Sequence, residues 1–271
     1  MSSKVYAEIA AKIENMLKNG IVPWQKGYSL SRASLAVSHA TGKTYSALNQ
    51  MLLGEAGEHW TFEQARKARL KVKKGSKACQ IYFWKLLEIE DKETGEIKDV
   101  PFLKSYNVFS SNCIEGAPAT VPPPLPENPV SEAEKIAKKY LDKAGIKVKT
   151  GPGTPRYNFN EDTITIPARS DYESDAHFFA DLFHEIGHST GAKNRLDRLV
   201  AKGKGSASYA REELVAEICA AALCREAGIE VKTDNHASYC AGWMRRLRED
   251  PRALVWAAGR ADAALKFILA E

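Results

Sequence analysis

Hydrophobic positions near the start of the chain recur at helical spacing. Val5, Ile9, Ile13 and Met16/Leu17 share one face, and Asn19-Gly20 ends the run, which predicts a helix over residues 2–19. The stretch Thr44 to Gly54 carries Tyr45, Leu48, Met51 and Leu52 without a clean period and stays ambiguous. Thr61 opens a second helix as N-cap, with Gln64 in the capping-box position. The period then changes. The segment from Cys79 through Tyr82-Phe83-Trp84 to Leu87 is rich in strand formers, Lys92 to Gly95 reads as a turn, and Phe102 to Phe109 reads as the returning strand of a hairpin.

Beyond residue 130 helical patterns dominate. Ser131, with Glu134 three residues on, predicts a capped helix over 131–144 that stops at Gly145. Strand-like pieces follow at Tyr157-Asn-Phe159 and Thr163-Ile-Thr-Ile166, and helices are expected at 174–190, 209–227 and about 235–269. Between the two styles, residues 116–129 hold six of the twelve prolines. Such a segment prefers extended polyproline II and predicts a semi-rigid linker. The expected fold class is therefore α+β in two domains. Residues 1–117 form a small basic α+β domain, 118–129 the proline-rich linker, and 130–271 a mostly helical domain with a short β-sheet.

The chain has 271 residues, 44% hydrophobic and 27% charged, enough to bury a sizeable core without disulfides. No apolar run is long enough for a membrane helix, and the first residues lack a signal-peptide core, so a cytoplasmic protein without a membrane partner is expected. Five cysteines, none in a CxxC pair, argue for reduced thiols and against a cysteine metal site. The net charge is +5, and it is uneven: residues 1–117 hold 17 Lys+Arg against 12 Asp+Glu, whereas the remainder holds 22 of each. A polyanionic partner would therefore meet the first part.

The strongest chemical signal is His184-Glu185-Ile186-Gly187-His188. On a helix, residues i and i+4 share a face, so both imidazoles reach one metal ion while Glu185 sits beside it as a general base. Catalytic zinc sites need a third protein ligand. The segment Tyr209-Ala-Arg-Glu-Glu213-Leu-Val-Ala-Glu217 offers two carboxylates at i, i+4. Glu213 is the expected ligand. Glu217 is expected to orient a liganding histidine from behind, or to ligate in its place. Tyr209 is expected to be structural, Thr163–Ile166 to be an edge strand aligning a substrate, and Trp243 and Trp256 to be core. His177 is expected to be solvated and His236 to lie at a helix cap.

In the basic part, Arg66, Lys67, Arg69, Lys71, Lys73, Lys74 and Lys77 crowd into twelve residues without an acid. Aromatic residues flank them. Cationic side chains beside stacking rings suit single-stranded nucleic acid, although a solvated basic helix end would read the same way. The candidate contacts are Lys71, Lys73, Lys74 and Lys77 for phosphates, and Trp24, Tyr45 and Trp84 for bases.

With both halves read, the chain resembles the ArdC-type antirestriction proteins of conjugative plasmids and phages. The residues that carry the resemblance are Pro23-Trp24, Gly42-Lys-Thr-Tyr45-Ser-Ala-Leu-Asn49, Trp60-Thr-Phe-Glu-Gln64, Lys73-Lys-Gly75-Ser-Lys77 and Tyr106-Asn-Val-Phe109, then Leu182 to Gly191, Arg195-Leu-Asp-Arg198 and Tyr209 to Glu217. Ser46-Ala47 departs from the small Gly usual in the Tyr-x-Gly-x-Asn segment. The resemblance implies a single-stranded DNA-binding domain joined to a zincin-like metallopeptidase domain with one zinc ion, another divalent metal being the alternative. It further implies protection of incoming plasmid or phage DNA from host restriction. An active metalloprotease that cleaves a host defence protein, with DNA binding for localisation, is the competing function. The expected partners are single-stranded DNA, with double-stranded DNA and a host protein substrate as alternatives.

Overall fold

The computed structural model describes residues 3–24, 35–90, 97–118, 126–198, 207–230 and 236–270, without the side chains of 3, 84–90, 97–103, 207 and 236–239. The first half runs α1 (Ser3–Lys18), β1 (Ala36–Ser38), α2 (Ala47–Leu53), β2 (Gly57–Thr61), α3 (Phe62–Lys67), β3 (Lys71–Val72), β4 (Cys79–Glu90), β5 (Ile97–Ser110) and β6 (Ile114–Glu115). The expected hairpin is β4 against β5, antiparallel, in a sheet of order β1-β2-β5-β4. Its turn at 92–95 lies outside the described residues. The capping box on α3 forms, with Thr61 and Gln64 satisfying each other's backbone N–H. The ambiguous stretch around residue 50 is the helix α2. Ser46, beside the departure from the family pattern at Ala47, is its N-cap and accepts the Asn49 N–H. Strands β1 and β2 were not anticipated, being too short to show a period and paired in parallel across about 20 residues.

The second half runs α4 (Pro129–Ala144), β7 (Lys147–Thr150), β8 (Arg156–Asn158), β9 (Thr163–Ile166), α5 (Asp175–Ser189), α6 (Ala207–Ala227), α7 (His236–Glu249) and α8 (Ala253–Leu269). Three expectations need correction. The cap of α4 is Asn128 with Pro129 in the first turn, not Ser131. The last helix is two helices, because Pro251 cannot continue α7. The strand Thr163–Ile166 is central in the sheet β7-β9-β8, so it offers no edge to a substrate. The edge strands are β7 and β8, and β8 is the one that packs against α5.

The two halves share a core. Ile9, Ile13 and Leu17 from α1 and Leu48 and Met51 from α2 pack with Leu214 and Ile218 of α6, Trp243 and Leu247 of α7, and Leu254 and Ala258 of α8. Trp24 is fully buried in this cluster and meets Trp243 edge-to-face at 5.4 Å. It therefore cannot stack a base, which corrects the expectation that Trp24 contacts DNA. Asp262 of α8 accepts the Ala47 N–H at 2.9 Å, and Arg248 pairs with Glu14. A second cluster joins α4, α5, α6 and β9 through Tyr140, Phe183, Ile186, Leu223 and Ile164. No described helix is long and apolar enough to cross a membrane.

Candidate metal centre and nucleic-acid face

Helix α5 is apolar on the face that holds Phe179, Leu182, Phe183 and Ile186, so burying that face fixes where the polar positions point. Gly187 lets α6 approach closely. A Cβ there would stand 3.1 Å from the Ala216 Cα and 3.2 Å from the Cys219 Cβ. At this crossing, donor atoms of His184, His188 and Glu213 gather within 4.8 Å of one another. The two Nε2 atoms are 3.1 Å apart, and each lies 3.5 Å from a Glu213 oxygen. Nitrogen and oxygen ligands on a tetrahedral zinc stand about 3.3 Å apart, as follows from bond lengths of about 2.0–2.1 Å. The donor set and spacing fit such an ion.

Two of the three donors, His188 and Glu213, are held by further side chains. His188 turns Nδ1 toward the Glu212 carboxylate at 3.4 Å. Glu212 in turn receives Nε and Nη2 of Arg198, each at 3.0 Å, and Arg198 also donates to the Gly187 carbonyl and the Thr190 hydroxyl. A carboxylate behind Nδ1 fixes the tautomer that leaves Nε2 its lone pair. Sequence spacing had given this orienting position to Glu217. Glu217 stands outside the three-donor cluster, one turn further along α6, and Glu212 fills the position behind His188. Burial opposes the charge on His188, yet Glu212 and Glu213 outweigh it and push its pKa up to about 9. Burial would raise the Glu213 carboxyl, but His184 and His188 hold it well below the usual range. Tyr209 is not merely structural. Its hydroxyl bonds to Glu213, and burial followed by that carboxylate pushes its pKa up to about 12.

Glu185 is only 6% exposed, and burial pushes its carboxyl upward, partly offset by His188 and His184. It also receives the backbone N–H of Tyr157 on β8. That strand is pinned by its own network. The Tyr157 hydroxyl donates to Asp162 at 2.6 Å, while Arg195 reaches Tyr157, Asp162 and the Ser189 carbonyl. Arg195 and Arg198, noted in the sequence only as part of a resemblance, therefore brace the two sides of the site. His177 bonds Ser174 in the first turn of α5, away from the donors.

The nucleic-acid candidates spread more widely. Lys71, Lys73, Lys74 and Lys77 are all exposed on and after β3, and Lys73 also donates to the Asn112 carbonyl. Tyr45 is half-buried, and its ring lies 6.5 Å from Phe83. Trp84 pairs with Leu103 in the β4–β5 ladder, and its side chain lies outside the described residues, as does Tyr28. Trp60 is buried beneath α3. Three exposed rings stand outside the candidate contacts, Phe83 among them although it belongs to the aromatic run Tyr82-Phe83-Trp84. Phe83 is 49% exposed and meets Tyr106, 37% exposed, edge-to-face at 5.5 Å, with Lys104 5.0 Å above the Tyr106 ring. Phe62, at the head of basic α3, is 60% exposed. Strand alternation could have grouped two of them, since Ile81 pairs with Tyr106 in the ladder and Phe83 lies two residues on, hence on the same face; it could not show their exposure, because Ile81 on that face is buried.

A histidine pair on one helix and a glutamate on a crossing helix, beside a small sheet with a buried glutamate against its edge, define a zincin-like metallopeptidase fold. Residues 135–260 match the zincin-like metallopeptidase family, and residues 3–109 match the N-terminal domain of the anti-restriction factor ArdC. An uncharacterized protein of Sinorhizobium fredii, y4eC, is 30% identical over 96% of this chain and 88% of its own length. The DNA primase TraC of Escherichia coli is 32% identical over 97% of this chain, which spans only 20% of that relative. Crystal structures of the antirestriction ArdC protein from the R388 plasmid superpose with TM-scores of 0.75 in the metal-free form and 0.74 in the Mn(II)-bound form. They share 28% and 27% identity with this chain, and each match covers 97% of it and 96% of the ArdC chain. The chain belongs to the ArdC family of antirestriction proteins.

Proposed function

We propose that this protein binds single-stranded DNA through its first half and protects incoming plasmid or phage DNA from host restriction. The observation that carries the reading is the pair of exposed rings, Phe83 and Tyr106, with Lys104 over one of them, in the half that holds the positive surplus. Exposed rings on a strand face stack bases of any sequence, and nearby lysines hold the backbone. Lys71, Lys73, Lys74 and Lys77, with Tyr45, are the further contacts in this reading. The test uses the full chain and fluorescein-labelled dT20 in a salt series. Affinity should fall with salt at about −0.7 per phosphate contact, and replacing the four lysines by alanine should flatten the slope by up to about three units. An unchanged slope would remove those lysines from the interface.

A second reading is favoured by one observation, the buried Glu185 beside the three donors. In it, His184, His188 and Glu213 hold one zinc ion in a competent peptidase. Bound zinc would supply Lewis acidity to a water and to a peptide carbonyl. Glu185 would take the proton of that water on its carboxylate and return it to the leaving nitrogen. Glu212 keeps the His188 tautomer, and Tyr209 bonds to Glu213. A host defence protein is the substrate class in this reading. Comparing host proteins cleaved in the presence of the wild type and of Glu185→Ala tests it: fragments seen only with the wild type support hydrolysis, and identical patterns oppose it.

A further inference from the structure

A cleft of about 710 Å³ opens between the two halves, a size suited to a bound ligand. Tyr45 and Phe83 enter it from the first half, Tyr6 from α1 and Trp256 from α8. Trp256 is therefore not a plain core residue, as its sequence position had suggested. It is half-buried, and the Arg260 guanidinium lies 5.6 Å from its ring centroid. Arg252 stands equally far from Tyr6. Arg252, Arg260 and Lys43 are exposed, and no described carboxylate pairs with any of them. Arg211, also in the lining, is matched by Asp250. The one acid in the lining, Asp262, spends an oxygen on the Ala47 N–H.

We propose that this cleft is a second segment of the single-strand path. In it, α8 of the peptidase-like half stacks a base on Trp256 and holds phosphates with Arg252 and Arg260. The proposal rests on the single-strand reading above. Continuity favours a strand over a small molecule. Tyr45 and Phe83 line the cleft, and Phe83 touches Tyr106 on the exposed face, so the rings run from the sheet into the cleft. Charge favours it too, since unmatched guanidiniums beside rings suit a polyanion carrying planar bases. Gly259 adds a third observation. It sits inside a helix, where glycine is unfavourable, yet a Cβ there would meet nothing within 4 Å. Packing does not require it, and it lies in the cleft lining.

The test again uses the full chain and labelled dT20. Arg252→Ala with Arg260→Ala should reduce the salt slope by up to about 1.4. Trp256→Ala should weaken binding by about 5- to 150-fold, with Trp256→Phe recovering most of the loss. Gly259→Leu, whose Cβ meets nothing within 4 Å and whose side chain adds bulk to the cleft lining, should weaken binding at unchanged slope without lowering Tm, since leucine favours a helix over glycine. If all these variants bind like the wild type while Tyr106→Ala, whose ring lies outside the cleft, binds more weakly, the cleft is off the path and the single-strand reading stands without it. If the wild type itself does not bind dT20, both readings fall together.

Discussion

The metal centre and the aromatic face are built on opposite terms. At the centre one side chain holds the next: His188 is held by Glu212, Glu212 by Arg198, Glu213 by Tyr209, and the strand behind Glu185 by Arg195 and Asp162. On the face, Phe83, Tyr106, Phe62 and the lysines stand in solvent with few fixed partners. A site that must fix three donors within tenths of an ångström needs a preorganised shell. A surface that receives a flexible strand of any sequence gains from stacking rings and mobile cations instead. Mutations should therefore be severe and local at the first region, and graded and salt-dependent at the second.

The largest effect expected is loss of the metal. His184→Ala leaves two donors, which rarely hold zinc tightly, so elemental analysis should find it without the stoichiometric ion of the wild type. Glu213→Ala should behave alike, whereas Glu217→Ala should retain the metal. Full retention in His184→Ala would refute the site. Next in size is Arg198→Ala. It strands the buried Glu212 carboxylate, at a cost of about 3–5 kcal/mol in urea unfolding, and should weaken metal affinity by about 10- to 100-fold through His188. Unchanged stability and affinity would mean that the Glu212–Arg198 pair does not support the centre.

The smallest effect is a pH dependence at Asp162. Its hydrogen bond from Arg195, more than that from Tyr157, holds its carboxyl below the ordinary 3.8. A lowered carboxylate pKa adds stability that is present above the unfolded value and lost as the pH falls through the folded one. Asp162 is about a third exposed, so the expected contribution is roughly 1 kcal/mol. The stability gap between wild type and Asp162→Asn should be constant from about pH 7 to 5 and should close below about pH 4. A gap that widens on acidification would contradict this account of the network.

Much of the centre was legible in the sequence because helix geometry is local. The i, i+4 spacing puts His184 and His188 on one face whatever the rest of the chain does. The choice of orienting carboxylate was not legible. Glu212, Glu213 and Glu217 all lie on α6, and only the angle at which α6 crosses α5, set by Gly187, decides which of them meets Nδ1. The face shows the same limit. The hairpin was visible from its strand formers, but which rings stay wet depends on what covers each side of the sheet. Trp24 looked like a stacking ring and is core, because α7 brings Trp243 onto it from more than 200 residues away. Proline-rich residues 119–125 and the hairpin turn lie outside the described residues, so neither bears on this comparison.

The most direct test of two separate regions is one binding isotherm on labelled dT20 for three full-length proteins: wild type, Phe83→Ala with Tyr106→Ala, and Glu185→Ala. Loss of stacking should cost roughly 1–3 kcal/mol per ring with the salt slope unchanged, while Glu185→Ala should bind like the wild type. An affinity that falls in Glu185→Ala and holds in the double ring variant would contradict the account.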